Sequence, residues 1–108
     1  MSLAEVERRL VGTWRHSHEE DVGAGRVYRP ESFDFPPSRG REGFALAADQ
    51  TGTYLGLSPR DGTARAACTW RLSGRPTAPV LQIAGADGRR ETWVVLEVTA
   101  ERLVLAPQ

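Results

Sequence analysis

Apolar and polar residues follow two different patterns along this chain, one near its start and one over the rest. Ser2 precedes a short segment whose apolar residues fall on one helical face, and Glu5 stands three residues after Ser2. The apolar residues of that face are Leu3, Val6 and Leu10. This spacing predicts a short helix over residues 2–10 that begins with a capping box.

From Val11 onward, short β-type segments are separated by glycine, proline and aspartate. We place eight of them at Val11–Glu19, Arg26–Phe33, Glu42–Ala48, Thr53–Ser58, Ala64–Leu72, Pro79–Ala84, Arg90–Val98 and Arg102–Leu105. Successive strands joined by short turns are antiparallel neighbours, and no connection here has room for a crossover helix. The pattern predicts an all-β fold, a single eight-stranded antiparallel up-and-down barrel with a short N-terminal helix, in one domain over residues 1–108. A two-sheet sandwich is the alternative.

Charge and cysteine content narrow the class of protein. Fourteen arginines balance 14 acidic residues, and the charges alternate in sign along most of the chain. Nucleic-acid binders usually show a basic excess on some element, so we expect neither a nucleic-acid nor a membrane partner. No apolar run resembles a signal peptide or a membrane span, which favours a cytoplasmic protein. Cys68 has no second cysteine to pair with, and we interpret it as a small buried apolar side chain.

Gly12-Thr13-Trp14 opens the first predicted strand directly after the helix, and this resembles the Gly-x-Trp signature of lipocalins and their calycin relatives. Tyr54, Thr69–Leu72 and Glu101–Leu105 occur in the order and spacing of small bacterial lipocalin-like domains. The resemblance implies a barrel with a small cavity in which Trp14 closes the base. The chain is shorter than a secreted lipocalin and lacks its disulfides and C-terminal helix, so extracellular transport is not expected.

Both histidines lie two residues apart in the first predicted strand. Since side chains alternate faces along a strand, an inward Trp14 predicts that His16, His18 and Glu20 also point inward. We interpret them as a polar cluster that lines the cavity, and an exposed strand end is the alternative. His16, His18 and Glu20 are also candidates for a metal site, because zinc in a catalytic site takes three protein ligands and a water, and Glu20 could supply the third ligand. No further histidine is available and Cys68 is interpreted as a core side chain, so any additional ligand would be a carboxylate, and we predict no metal site.

Two further groups of residues are candidates for ligand contact. Arg26 and Tyr28 lie on the adjacent strand, where they are placed to orient a carbonyl or carboxylate. Ser38-Arg39-Gly40-Arg41, in the long connection, is a candidate anion grip because two guanidiniums can clamp a carboxylate or phosphate. The full predicted ligand set is Trp14, His16, His18, Glu20, Tyr28, Arg39, Arg41, Tyr54 and Trp70.

These residues predict a protein that binds one small, partly apolar and possibly anionic metabolite in its barrel. One alternative is a small barrel isomerase or cyclase in which His16 or His18 is the acid or base. Another is a filled barrel that acts through its outer face as a homodimer, with either Trp93 and Val95 or Val94 and Leu96 exposed. No nucleotide-binding or hydrolase motif occurs in the sequence, so no cofactor is expected.

Overall fold

A computed structural model describes residues 2–37, 41–56, 64–86 and 88–108 of the chain. Helix α1 spans Leu3–Leu10, and a 3₁₀ turn spans His18–Glu20. The strands are β1 Gly12–His16, β2 Arg26–Pro30, β3 Gly43–Leu46, β4 Thr51–Gly56, β5 Ala64–Arg75, β6 Ala78–Gly85, β7 Arg90–Val98 and β8 Leu103–Pro107. Within the described ranges, no helix is both long enough and apolar enough to cross a membrane.

The eight strands form a closed barrel in which every neighbouring pair is antiparallel. The predicted eight-stranded antiparallel barrel with one short N-terminal helix is therefore confirmed, and the sandwich alternative is wrong. The Ser2 hydroxyl caps α1 by accepting a hydrogen bond from the Glu5 backbone amide, as the capping pattern predicted. Closure leaves no unpaired strand edge in the sheet, which removes the surface on which β-proteins aggregate.

The order of the strands differs at one place from a simple up-and-down barrel. The order is β1-β2-β8-β7-β6-β5-β4-β3, so that β3 pairs with β1 and β2 pairs with β8. The connection between β2 and β3 consequently begins on one flank of β1 and ends on the other. Arg15, on the outer face of β1, joins the two sides of this connection, because it donates to the Glu31 carboxylate and to the Arg41 carbonyl.

One end of the barrel is filled and covered by α1. Val6 and Leu10 pack into the main apolar cluster together with Trp14, which is only 3% exposed. The Trp14 indole donates to the Leu10 carbonyl at 2.9 Å, so it ties the helix to the first strand. The opposite end is formed by the start of β2, the start of β3 and the end of β4. We call this opposite end the mouth.

Several predicted boundaries need correction. The first strand ends at His16 rather than at Glu19, because the chain turns into the 3₁₀ turn there. The fifth strand continues past Leu72 to Arg75, and the fourth begins at Thr51 rather than at Thr53. The predicted strand end at Leu57–Ser58, the turn at Pro59–Gly62 and the turn residue Asp87 lie outside the described residues.

Strand β7 decides which apolar pair faces outward. Trp93 and Val95 are buried in the barrel, whereas Leu96 is 58% exposed. Leu96 lies where the register between β7 and β8 shifts at Val95/Glu97. The homodimer inferred from an outward apolar pair stays a prediction.

Candidate functional site

A pocket of about 340 Å³ opens at the mouth of the barrel. Its wall is aromatic on one side, where Tyr28, Phe44 and Tyr54 are buried, and charged at its rim. The charged residues that line it are Arg26, Arg89, Glu42 and Glu91. This volume is at the lower end of the range for small-molecule sites and corresponds to roughly a dozen water molecules. The mouth therefore has room for one small compound that carries both a ring and polar groups.

Arg26 is distinguished by its lack of a carboxylate partner. Among the described residues, the half-buried arginines are Arg15, Arg26, Arg29, Arg41 and Arg102. All of them except Arg26 form an ion pair with a glutamate. The Arg26 guanidinium instead lies over two aromatic rings, 5.8 Å from the Tyr28 centroid and 5.5 Å from the Trp93 centroid. Cation–π contact of this kind orients the guanidinium but leaves its charge without a counter-ion.

His16 fixes Arg26 from behind the pocket wall. Nη2 of Arg26 lies 3.3 Å from Nδ1 of His16, and Nε2 of His16 lies 2.8 Å from the Asp21 carboxylate. Since a guanidinium can only donate, Nδ1 accepts, and Nε2 carries the hydrogen that is donated to Asp21. Both ring nitrogens are thus engaged within the protein, which leaves His16 no free nitrogen to act as acid or base on a bound molecule.

Asp21 is itself held by the backbone. Its carboxylate accepts a hydrogen bond of 2.8 Å from the Val27 amide at the start of β2. The resulting series of hydrogen bonds runs from the β2 backbone through Asp21 and His16 to Arg26, so the position of the guanidinium is set by the fold.

Glu91 is the acidic counterpart of Arg26 inside the mouth. Its carboxylate is half-buried and accepts a hydrogen bond of 3.1 Å from the Trp93 indole. It makes no ion pair with any described residue.

Burial raises the pKa of Tyr28 to about 12, and the negative charges of Glu91 and Glu42 add to that rise while Arg26 opposes it. The Tyr28 phenol therefore stays protonated and able to donate at neutral pH.

Three predicted ligand residues lie away from the pocket. His18 is 56% exposed on the 3₁₀ turn, and Glu20 binds Arg29 and the Ser17 hydroxyl. The predicted common inward face of His16, His18 and Glu20 is therefore wrong, because the strand alternation ends at His16 and the next residue, Ser17, is itself only 2% exposed. Arg41 donates to Glu19 and to the carbonyls of His16 and Pro36, which engages its guanidinium. Ser38, Arg39 and Gly40 lie outside the described residues.

These ion pairs lower the pKa of two carboxylates. Hydrogen bonds from Arg41 bring the pKa of Glu19 to about 2. Hydrogen bonds from Arg29, and then from Ser17, bring the pKa of Glu20 to about 2 against the cost of desolvation. Both pairs connect the 3₁₀ turn to the rest of the barrel, so they hold the segment that carries Asp21.

The remaining predicted residues lie either in the lining of the mouth pocket or in the apolar core. Tyr28 and Tyr54 line the mouth pocket, as does Arg26. Trp14 and Trp70 are buried in the apolar cluster, and the Trp70 indole donates to the Ala47 carbonyl. Cys68 is buried, and this burial raises the pKa of its thiol, as expected of a small core side chain. No group of three potential metal ligands occurs in the part of the chain that the structure describes.

Sequence reasoning missed Glu91, Arg89 and the role of Asp21. Glu91 had a usable signal, because it lies two residues before the inward Trp93 on the same strand and therefore shares its face. Nothing in the sequence pattern pointed to Asp21, since its contact with His16 depends on the 3₁₀ turn.

A larger concavity of about 670 Å³ lies on the flank of the barrel between β4 and β7. Many of its lining side chains are exposed, among them Thr51, Thr69, Arg71, Gln82 and Arg90. A molecule bound there would keep much of its surface in water, whereas known ligand sites bury most of their ligand. We therefore place the candidate site at the mouth.

Comparison of the chain with family models, with curated proteins and with solved structures found no match. The closed antiparallel barrel is consistent with a calycin-like fold. Such a barrel is compatible with small-molecule binding.

Proposed function

We propose that this barrel binds one small, partly apolar molecule that carries an anionic group, and that binding takes place in the mouth pocket. Arg26 receives the anionic group, and Tyr28, Phe44 and Tyr54 contact the apolar body. The position of Trp14 beneath α1 supports the resemblance to lipocalin-like barrels, in which the cavity opens at the end opposite the closing tryptophan.

The observation that carries this proposal is the half-buried charge of Arg26, which has no carboxylate partner in the part of the chain that the structure describes. A charge that is partly removed from water without a counter-ion is unfavourable for the folded protein. The hydrogen-bond series through His16 and Asp21 nevertheless holds the guanidinium in that position. A carboxylate or phosphate that enters the mouth would supply the missing counter-ion through charge-assisted hydrogen bonds.

The test uses 3-phenylpropionate and its neutral isostere 3-phenylpropanamide as probes. Trp93 contacts Arg26, so tryptophan fluorescence reports on this end of the barrel, and calorimetry gives the affinity. We expect the acid to bind more tightly than the amide, and Arg26→Gln to weaken the acid about 10- to 100-fold, since a hydrogen bond to a charged group contributes roughly 1.5–3 kcal/mol. The amide should bind both proteins almost equally.

Arg75→Gln is the matched control because it removes the same charge at the helix end of the barrel, where Arg75 is exposed. It should leave the affinity for the acid unchanged. The proposal is wrong if neither probe binds, or if Arg75→Gln weakens the acid as much as Arg26→Gln does. Native mass spectrometry of protein purified without denaturation complements this test, because the mass of a retained adduct gives the class of the ligand.

A further inference from the structure

Like Arg26, Glu91 is a half-buried charge of the mouth that has no ion-pair partner among the described residues. The half-buried carboxylates in the described ranges are Glu7, Glu20, Glu91 and Glu97. Glu20 and Glu97 pair with arginines, and Glu7 lies on α1 at the far end of the barrel. Glu91 is thus the unpaired half-buried carboxylate that lines the proposed binding pocket.

Arg26 and Glu91 are near each other but do not form an ion pair. Both contact the same side chain: the guanidinium lies 5.5 Å from the centroid of the Trp93 ring, and Glu91 accepts a hydrogen bond from the Trp93 indole nitrogen. Their other contacts, to His16 and to the indole, hold them in separate positions. Because Arg26 and Glu91 do not neutralise each other, each of them can still form an ion pair with a charged group of a ligand.

We propose that Glu91 binds a cationic group of the ligand, so that the barrel selects small zwitterions over simple anions. The ligand class is a compact molecule with a carboxylate, an ammonium and an apolar body, of which an aromatic amino acid is the simplest example. This inference rests on the proposed function, because it takes Arg26 as the partner of the carboxylate.

The charge arrangement also accounts for discrimination against ligands of single charge. A simple anion that binds Arg26 remains near the Glu91 carboxylate without neutralising it, so like-charge repulsion reduces its affinity. A simple cation at Glu91 meets the corresponding repulsion from Arg26. A zwitterion supplies both counter-ions at once, and its own two charges are separated by the covalent skeleton.

Three probes of equal ring size test this proposal: L-phenylalanine, 3-phenylpropionate and 2-phenylethylamine. Their affinities are measured by calorimetry on the wild-type chain and on Glu91→Gln. For the wild type we expect phenylalanine to bind at least fivefold more tightly than phenylpropionate, and phenylethylamine to bind most weakly. In Glu91→Gln we expect phenylalanine to lose at least fivefold, whereas phenylpropionate should bind equally well or more tightly.

Two further variants locate the effect. Glu42→Gln changes an exposed carboxylate at the same rim, and Glu7→Gln changes a half-buried unpaired carboxylate at the opposite end. Glu7→Gln should keep the preference for phenylalanine in full, and Glu42→Gln, at the second carboxylate that lines the pocket, should reduce it less than Glu91→Gln does. A preference lost in Glu42→Gln instead of Glu91→Gln would overturn the assignment to Glu91.

The remaining outcomes separate this inference from the proposed function. If phenylpropionate binds in an Arg26-dependent way and phenylalanine gains nothing over it, the zwitterion inference fails and the proposed function stands. If none of the three probes binds, both fail. Equal losses of phenylalanine and phenylpropionate in Glu91→Gln also overturn selection by charge. Near-ultraviolet circular dichroism of the variant then shows whether the mouth has lost its packing.

Discussion

Arg26 donates to Nδ1 of His16 across 3.3 Å, from one strand of the first hairpin to the other. The contact joins a residue that faces the pocket to one that lies behind its wall. It accounts for the position of His16, which shares a face of β1 with Trp14 but is not itself part of the pocket lining. His16 is a positioning residue for Arg26, and this role leads to a prediction that separates it from a catalytic one.

We predict that His16→Ala weakens 3-phenylpropionate about fivefold, because Arg26 loses the acceptor that orients it. In an Arg26→Gln background the same change should have almost no effect, since there is no guanidinium left to position. Calorimetric affinities of the two single variants and the double variant complete the cycle. The expected coupling is about 1 kcal/mol, within the range for contacting residues.

His16→Gln serves as the conservative comparison, because its side-chain oxygen can still accept from Arg26. It should restore part of the affinity that His16→Ala loses. Additive effects of His16→Ala and Arg26→Gln would contradict the positioning role, as would a His16→Gln protein that binds no better than His16→Ala.

Most of the fold follows from local sequence pattern, and the strand order does not. The helix cap at Ser2 and the alternation in each strand depend on neighbours in sequence, so they can be recognised from the sequence alone. Which strands pair depends on where a connection leads. The segment between Pro30 and Gly43 joins two strands on opposite flanks of β1. Its hydrogen bonds to β1, from Arg15 to the Arg41 carbonyl and from Arg41 to the His16 carbonyl, are not encoded in any local period.

The residues of the candidate site could likewise be predicted only in part from the sequence. Arg26 and Tyr28 were named because they lie on the strand next to β1, and Tyr54 because it is an aromatic residue of a predicted strand; all three line the mouth pocket. The prediction failed for His18 and Glu20, because it extended the alternation through a 3₁₀ turn. Arg41 was predicted to bind a ligand, but in the structure its guanidinium forms an ion pair with the carboxylate of Glu19.

The close approach of β1 and β3 requires glycine at position 43. A Cβ built there meets the Trp14 carbonyl oxygen and lies 2.9 Å from the Trp14 carbonyl carbon, and both atoms belong to the backbone. We predict that Gly43→Ala lowers the free energy of unfolding by about 3 kcal/mol, because the two strands must separate to admit the methyl group. Urea denaturation followed by circular dichroism measures this loss.

Gly23→Ala is the control for a purely conformational cost. Apart from positions 22–24, no described residue has a heavy atom within 4 Å of a Cβ built at position 23, so the positive φ of 58° is the feature that opposes a side chain. It should cost roughly 1 kcal/mol, the penalty of the left-handed region. A loss at position 43 no greater than that at position 23 would show that the backbone contact with Trp14 relaxes easily.

The Glu20–Arg29 ion pair makes stability depend on pH in a defined window. The pKa of Glu20 falls from 4.5 to about 2 on folding, chiefly through hydrogen bonds from Arg29. A carboxyl whose pKa is lowered in the folded state stabilises it above pH 4.5, and that stabilisation is lost as the pH falls towards 2. Because the Glu20 side chain is about one-third exposed, solvent screening reduces its contribution to about 1 kcal/mol.

We therefore predict that Glu20→Gln lowers the urea midpoint at pH 7 and that this difference from the wild type closes between pH 4.5 and pH 2. Glu19 retains its own lowered pKa in both proteins, so the wild type and the variant both lose stability in acid, and only their difference reports on Glu20. Asp34→Asn, at an exposed position without a described side-chain contact, should follow the wild type at every pH. A difference between Glu20→Gln and the wild type that persisted undiminished at pH 2 would mean that the contact with Arg29 does not depend on the Glu20 charge.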